Sequence, residues 1–410
     1  MNSSVSTANV PRATHPATKS QVDWLATQLA LWQAEDLLDK DQADLISSRY
    51  HADHRFSLSR LLLTLGALFV GVGAIWLVAA NLTGLSPGVR FGAVSLFWLA
   101  CLGIGEALAV RREHEVAAGV RTRSPLVGAI RLLASLAFGA VVFQAAQSLQ
   151  VPAYEPLLMG CWALGAFVHA YAARAVLPLV VGILAGTTWL VWEVLEEVAS
   201  GPAGVACVVA AGVVAVAAAA LHTRWAEELA APWREVGSAL LLGGLFVAAL
   251  PFAGGEDLVW TTSLVAVLVL AVALTSLALM ASRGTSFEVL GAAAAAAGAV
   301  GLVLWDAGDG ATVTDAGVAH AAVSVVVYVL AAVGVAVVGA LRDSWRLTAL
   351  ATAALVVFTT VQSFSVFAEI LEGAWLFVAL GLVFLGTGLG FDRARRRLVA
   401  AVTDGEGTDR

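Results

Sequence analysis

Three ionisable residues stand inside apolar runs, where ionisable residues are costly. They are Glu106 in LACLGIGEALAV, Arg131 in LVGAIRLLASL and His169 in LGAFVHAYA. A carboxylate, a guanidinium and an imidazole can pass a proton, hold an anion or neutralise one another. On insertion scales a central Arg or Asp costs about 2.5–3.5 kcal/mol, so each such residue is a functional hypothesis by default. Two readings fit. In one, a water-accessible inner cavity lets Glu106 or His169 take a proton while Arg131 holds an anion. In the other, Glu106 and Arg131 form an ion pair whose long side chains also snorkel to the interface.

A second polar layer comprises Gln144, Gln147, Tyr154, His320 and Gln362. Gln144 and Gln147 share a helical face at i, i+3, and interhelical hydrogen bonding explains them without a substrate. The remaining motifs carry little chemistry. His51, Asp53 and His54 in YHADHR are too few for a metal centre without further ligands. Cys101, Cys161 and Cys207 lie in apolar runs with no metal or redox spacing and read as small buried residues. GTGLG at 386–390 lacks the preceding strand of a phosphate loop, and Gly386 and Gly390 instead make a face for close helix packing. No catalytic constellation, metal site or cofactor is read from the chain, and no enzymatic activity is expected.

The elements that position these residues follow from composition. The chain has 410 residues, 60% of them hydrophobic and only 13% charged, with a mean hydropathy of +0.86. Soluble domains are nearer 45–50% apolar, so this is a membrane composition. A net charge of −7 with no basic face excludes a nucleic-acid partner. Spans of about 20 apolar residues are predicted at 61–80, 91–110, 126–147, 156–173, 175–192 and 202–221. Six more are predicted at 236–253, 258–281, 287–305, 316–341, 346–367 and 373–391.

The basic residues test this count. With twelve spans and both termini cytoplasmic, all but two of the 23 basic residues fall in inner segments. Arg90 falls outside and Arg131 within a span, while the outer loops carry acid, including Glu155, Glu193, Glu196, Glu197 and Asp257. The fold class is therefore all-α: a polytopic helical membrane protein of about 12 transmembrane helices in a bacterial-type cytoplasmic membrane. Spans two and three are then antiparallel, which puts Glu106 and Arg131 roughly 6–8 Å below the inner interface at 1.5 Å per residue. His169 falls in the same layer.

A soluble segment precedes the spans. Residues 1–20 read as a disordered tail and 21–56 as a small cytoplasmic helical hairpin, followed by the membrane domain at 57–392 and a basic then acidic tail at 393–410. Ser20 with Asp23, and Asp39 with Gln42, read as helix caps. Val22, Leu25, Leu29 and Trp32 share one face. The hairpin could cover the inner loops, contact a second copy or a protein partner, or sense a ligand.

At the hairpin the sequence resembles a known family. WLATQLALWQAEDLLDKDQADLISSRY is similar to the opening of the bacterial predicted membrane proteins with domain of unknown function 2157. LASLAFGAVVFQAAQSLQV, the Trp of CWALGAF, and the C-terminal SWRLTALATAALVVFTTVQSFSVF with GLVFLGTGLGFDRARRRL resemble it too. At Gln150 the chain departs from the Tyr-His pair that tends to follow the family's third span. The resemblance implies an architecture and no reaction.

Two functional classes stay open. One is a scaffold, assembly or signalling protein that uses the hairpin, and the alternative is a small-solute or ion transporter with an inner-leaflet polar cavity. Twelve spans suit the major facilitator layout, but the glycine–aspartate motif of its 2–3 loop is missing from RREHEVAAGVRTRS, and no internal repeat is visible.

Overall fold

The computed structural model describes residues 15–17, 19–35, 37–52, 58–81, 86–117, 125–152, 154–250, 257–281, 283–306 and 315–367. Apart from one pair of three-residue strands, these residues are helical. The predicted twelfth span at 373–391, the tail at 393–410 and the GTGLG motif lie outside the described residues.

The N-terminal unit holds β1 (His15–Ala17), α1 (Lys19–Ala34), α2 (Lys40–Arg49) and β2 (Tyr50–Ala52). β1 and β2 pair in parallel, with Pro16 opposite His51. The sequence puts no element before residue 21, so β1 and the two residues Lys19 and Ser20 of α1 are additions, and Ser20 lies inside α1 rather than at its cap. The second cap forms as the sequence specifies. Asp39 Oδ1 accepts from the Gln42 amide at 2.7 Å, and Gln42 Oε1 accepts from the Asp39 amide at 3.2 Å. Leu29 and Ala43 are buried between the two helices, while Trp24, Leu31 and Leu37 are exposed.

α3 (Leu58–Asn81), α4 (Pro87–Ala117), α5 (Leu126–Ser148) and α6 (Leu157–Ala172) follow. Beyond them come α7 (Val176–Glu197), α8 (Gly201–His222), α9 (Glu227–Ala248), α10 (Thr262–Ala281), α11 (Ser286–Val303), α12 (Asp315–Leu341) and α13 (Trp345–Phe367). Each of the first eleven predicted spans thus corresponds to a helix. Among the described residues, eight helices are long and apolar enough to cross a membrane. α6 is shorter, and α9 is more polar.

Two boundaries differ from expectation for one reason. α4 continues through the charged segment to Ala117, and α9 starts at Glu227, nine residues before the apolar run at 236. Backbone hydrogen bonding continues where hydrophobicity stops, because Arg, Glu and Ala are good helix formers in water. Pro178 is accommodated in the first turn of α7, where its missing N–H is no loss.

Three helices end in left-handed residues that are not glycine: Gln150 after α5 (φ 59°), Arg174 after α6 (φ 46°) and Asp343 after α12 (φ 47°). In each case the following amide reaches back to close the turn, as Val151 N–H does to Ala146 O at 2.8 Å and Ser344 N–H to Gly339 O at 2.8 Å.

α8 is the hub of the bundle. It is almost entirely Ala, Val and Gly, is buried along nearly its whole length, and packs against α7, α9, α10 and α11. Its seam with α9 is a backbone approach. A Cβ at Gly237 would lie 3.0 Å from Gly212 O and 2.9 Å from Ala215 Cβ, and one at Gly212 would lie 3.1 Å from Gly237 O. Small residues let two helices meet this closely, and dispersion then replaces the missing hydrophobic drive between helices in lipid. Tyr328 of α12 and Phe358 of α13 stack at 3.8 Å beside this core.

Contacts between turns fix which helix ends lie together. Arg174 after α6 pairs with Glu228 at the start of α9, Arg342 after α12 reaches Gly284 before α11, and Arg346 of α13 pairs with Glu235 of α9. The turns after α6, α8, α10 and α12 therefore share one end of the bundle. At the other end Ser200 before α8 donates to Asp257 O before α10 at 3.5 Å, and Ser263 of α10 bonds Glu197 of α7. The first end carries Arg174, Arg224, Arg342 and Arg346, and the second carries Glu193, Glu196, Glu197 and Asp257.

Candidate functional site

Glu106, Arg131 and His169 come from three successive helices, α4, α5 and α6. Glycines bring these helices together. At Gly105 an added Cβ would come into ordinary contact with Ile130 Cγ2 at 3.4 Å and Arg131 Cγ at 3.5 Å, but at Gly139 it would lie 2.6 Å from Trp162, and at Gly165 2.0 Å from Phe138. The rings of α5 and α6 thus rest on bare backbone of the facing helix. Trp162 also donates its indole N–H to Ser135 O at 2.8 Å, which sets the relative height of α5 and α6.

On this frame the three side chains meet. Arg131 grips Glu106 through two nitrogens, Nε to Oε1 at 2.8 Å and Nη2 to Oε2 at 2.6 Å. His169 Nε2 lies 3.4 Å from Glu106 Oε1, and its Nδ1 lies 3.1 Å from Ser135 Oγ. A carboxylate only accepts, so in the neutral imidazole Nε2 carries the proton and Nδ1 accepts from the Ser135 hydroxyl. Arg131 and His169 are largely covered, whereas the Glu106 side chain keeps 39% of its surface. The bidentate fork satisfies both carboxylate oxygens with charge-assisted bonds.

Ser135, His169 and Glu106 together have the residue types of a nucleophile relay. The geometry does not suit one: Ser135 is 1% exposed, and no reacting atom could approach its hydroxyl without α5 and α6 parting.

Of the five residues of the second layer, Gln144, His320 and Gln362 are buried. Gln144 is buried and donates to Ser148 Oγ at 3.5 Å, while Ser148 bonds Pro87 O at 3.3 Å and so ties the end of α5 to the start of α4. Gln147 and Tyr154 are exposed. His320 is buried at the start of α12, where Nε2 donates to Leu302 O at 3.2 Å and Trp305 meets the ring edge-on. Gln362 is buried on α13.

Two clusters escaped the sequence reading. In the first, Trp233 N–H donates to Tyr171 Oη at 3.0 Å, and Tyr171 faces His222 Nε2 at 3.0 Å. His222 Nδ1 donates to Ala218 O at 2.6 Å, so Nε2 is the acceptor for Tyr171. Trp225 covers the imidazole at 4.6 Å.

The second cluster is the most buried charge in the described protein. Glu288, whose side chain is 1% exposed, accepts from Arg234 Nε at Oε2 (2.6 Å) and from Arg342 Nε at Oε1 (2.7 Å). It binds α9, α11 and α12 at one end. Reading Arg234 and Arg342 as loop charges hid it. The depth argument that paired Glu106 with Arg131 would have found it, because Glu288 sits in the first turn of its helix at that same end. Among the described residues no group of three or more His, Cys, Asp or Glu side chains could hold a metal ion.

Residues 30–179 match the model of the family described as "Predicted membrane protein (DUF2157)". The match runs from α1 into α7 and includes Glu106, Arg131 and His169, while the C-terminal stretch of resemblance lies outside it. No curated protein and no solved structure matches the chain. The family description and the apolar helices agree on a helical, multi-pass membrane protein.

Proposed function

We propose that this chain, whose residues 30–179 match the model of the DUF2157 family of predicted membrane proteins, is a scaffold for assembly or signalling in the cytoplasmic membrane. It spans about twelve times with both termini inside, and the α1–α2 hairpin is its contact point. The observation that carries this reading is the closed state of the charged residues. Both oxygens of Glu106 are taken by Arg131 and His169, and both oxygens of Glu288 by Arg234 and Arg342. Groups bound to one another hold a bundle together, and the one-to-one Glu106–Arg131 pair presents no net charge to draw in a solute. The exposed Trp24, Leu31 and Leu37 of the hairpin supply apolar surface for a partner. Orientation is supported by the gathering of Arg174, Arg224, Arg342 and Arg346 at one end of the bundle.

A specific feature favours the transporter as the second reading: Glu106 retains 39% of its side-chain surface and could meet water. Cysteine labelling separates the two. In a background with Cys101, Cys161 and Cys207 replaced, Glu106→Cys places a thiol where the partly exposed carboxylate stands and reports on whether water or lipid meets that position. The scaffold reading expects no reaction with a membrane-impermeant thiol reagent from either side. Rapid labelling from the cytoplasmic face would establish a hydrated cavity and move the choice to transport. In the same background, Tyr154→Cys and Arg224→Cys should label from opposite faces, and labelling from one face would break the twelve-span orientation.

A further inference from the structure

The clamp at Glu288 binds a carboxylate that its own helix would otherwise use. Thr285 is the N-cap residue of α11 and Glu288 its third residue, the spacing of a capping box, in which the two side chains satisfy each other's backbone amides. Here Thr285 makes no side-chain cap bond. Its residue is 3% exposed, and its Oγ1 has no hydrogen-bond partner. Glu288 is instead drawn to Arg234 and Arg342, with nitrogen–oxygen distances down to 2.5 Å.

Two guanidiniums converge on the one carboxylate of Glu288, and the Arg234 side chain is only 8% exposed. The adjacent Arg346–Glu235 pair at 3.3 Å is internally neutral. A helix N-terminus adds partial positive charge from its backbone amides, and a buried hydroxyl without a partner adds a free donor. Arg342, with 32% of its side chain exposed and also bonded to Gly284 O, is the side open to entry. Two guanidinium forks, a helix N-terminus and an orphan hydroxyl are the donor set of a phosphate site.

We propose that Arg234, Arg342 and Thr285 form a receptor for a phosphate-type anion at the start of α11, and that Glu288 is its internal stand-in. The anion offers more acceptor oxygens and more negative charge than a carboxylate, so it takes over both arginines and the Thr285 hydroxyl. The group arrives either as free phosphate or as the headgroup of an anionic phospholipid, because this end of the bundle carries the basic turns that meet the inner leaflet. The donor set itself is independent of the scaffold reading.

The test uses the full-length protein. In zwitterionic detergent at constant ionic strength, inorganic phosphate replaces chloride and the melting temperature is followed. Glu288→Gln removes the competing charge and should bind phosphate at least tenfold more tightly than the wild type, and Arg342→Gln should abolish the response. In a parallel arm, nanodiscs of phosphatidylglycerol are compared with phosphatidylcholine. Stabilisation of the wild type but not of Arg342→Gln by phosphatidylglycerol alone identifies the lipid headgroup as the source. If Glu288→Gln does not fold, the comparison of wild type with Arg342→Gln decides in both arms. A wild type indifferent to phosphate and to phosphatidylglycerol, or a response that survives Arg342→Gln, overturns the proposal.

Discussion

Removing Arg131 should cost more than removing the whole Glu106–Arg131 pair. In Arg131→Met the carboxylate loses both charge-assisted bonds, at 2.8 and 2.6 Å, and keeps only His169 at 3.4 Å. Breaking a fully buried pair at one partner costs about 3–5 kcal/mol. The 39% exposure of Glu106 reduces that figure, because solvent and headgroups reach part of the stranded carboxylate. About 2 kcal/mol remains for the single change. Glu106→Gln strands a guanidinium that is only 16% exposed, and a loss of similar size, about 2 kcal/mol, is expected. The double variant leaves no buried charge and should sit about 1 kcal/mol below the wild type, for a coupling of about 3 kcal/mol. Unfolding by dodecyl sulfate in mixed micelles measures all four corners of the cycle. Single changes that add without coupling would refute a closed pair and would mean that water already solvates both groups.

Other outcomes follow from the packing and the helix ends. Gly237→Leu forces a side chain against Gly212 O and Ala215, at 3.0 and 2.9 Å from the Cβ position, and should cost about 1–3 kcal/mol. Gly291→Ala, which meets nothing within 4 Å, should leave the same unfolding curve unchanged or gain about 0.5–1 kcal/mol. Gln150→Gly relieves a left-handed residue at φ 59° and should stabilise by about 1 kcal/mol, seen as a higher melting temperature in detergent. Asp39→Ala breaks the reciprocal cap and should weaken α2 by about 1 kcal/mol. Hydrogen exchange at residues 40–46 would register that loss, and unchanged protection would show that the cap is idle.

The helices were legible because hydrophobicity announces a span, and the capping box at Asp39 was legible because it needs only two residues at fixed spacing. The Glu106–Arg131–His169 contact could be anticipated from sequence, since consecutive helices run antiparallel and equal distance from a shared end means equal height. Arg234 on α9 and Glu288 on α11 have α10 between them in sequence, and which non-consecutive helices touch is decided by side-chain volume rather than by pattern. α8 shows why. Its small residues mark it as enclosed, but nothing in an alanine run says which neighbours enclose it. The extension of α9 back to Glu227 was hidden for a related reason, because membrane hydropathy reports where lipid is and not where helix is. The left-handed Gln150, Arg174 and Asp343 carry no glycine signal at all.

The two ends of the bundle are built with unequal reach. Where charges pair, the chain reverses within a few residues, between Ala172 and Val176, between His222 and Glu227, and between Leu341 and Trp345. At the far end the links are mostly longer, as between Ser148 and Leu157, Ala248 and Thr262, and Val303 and Asp315. The pairs α6–α7, α8–α9 and α12–α13 are therefore closed by a short turn at the end where the arginines pair. Loosening those ion pairs by salt would then act on the same end of the bundle that the short turns already hold closed.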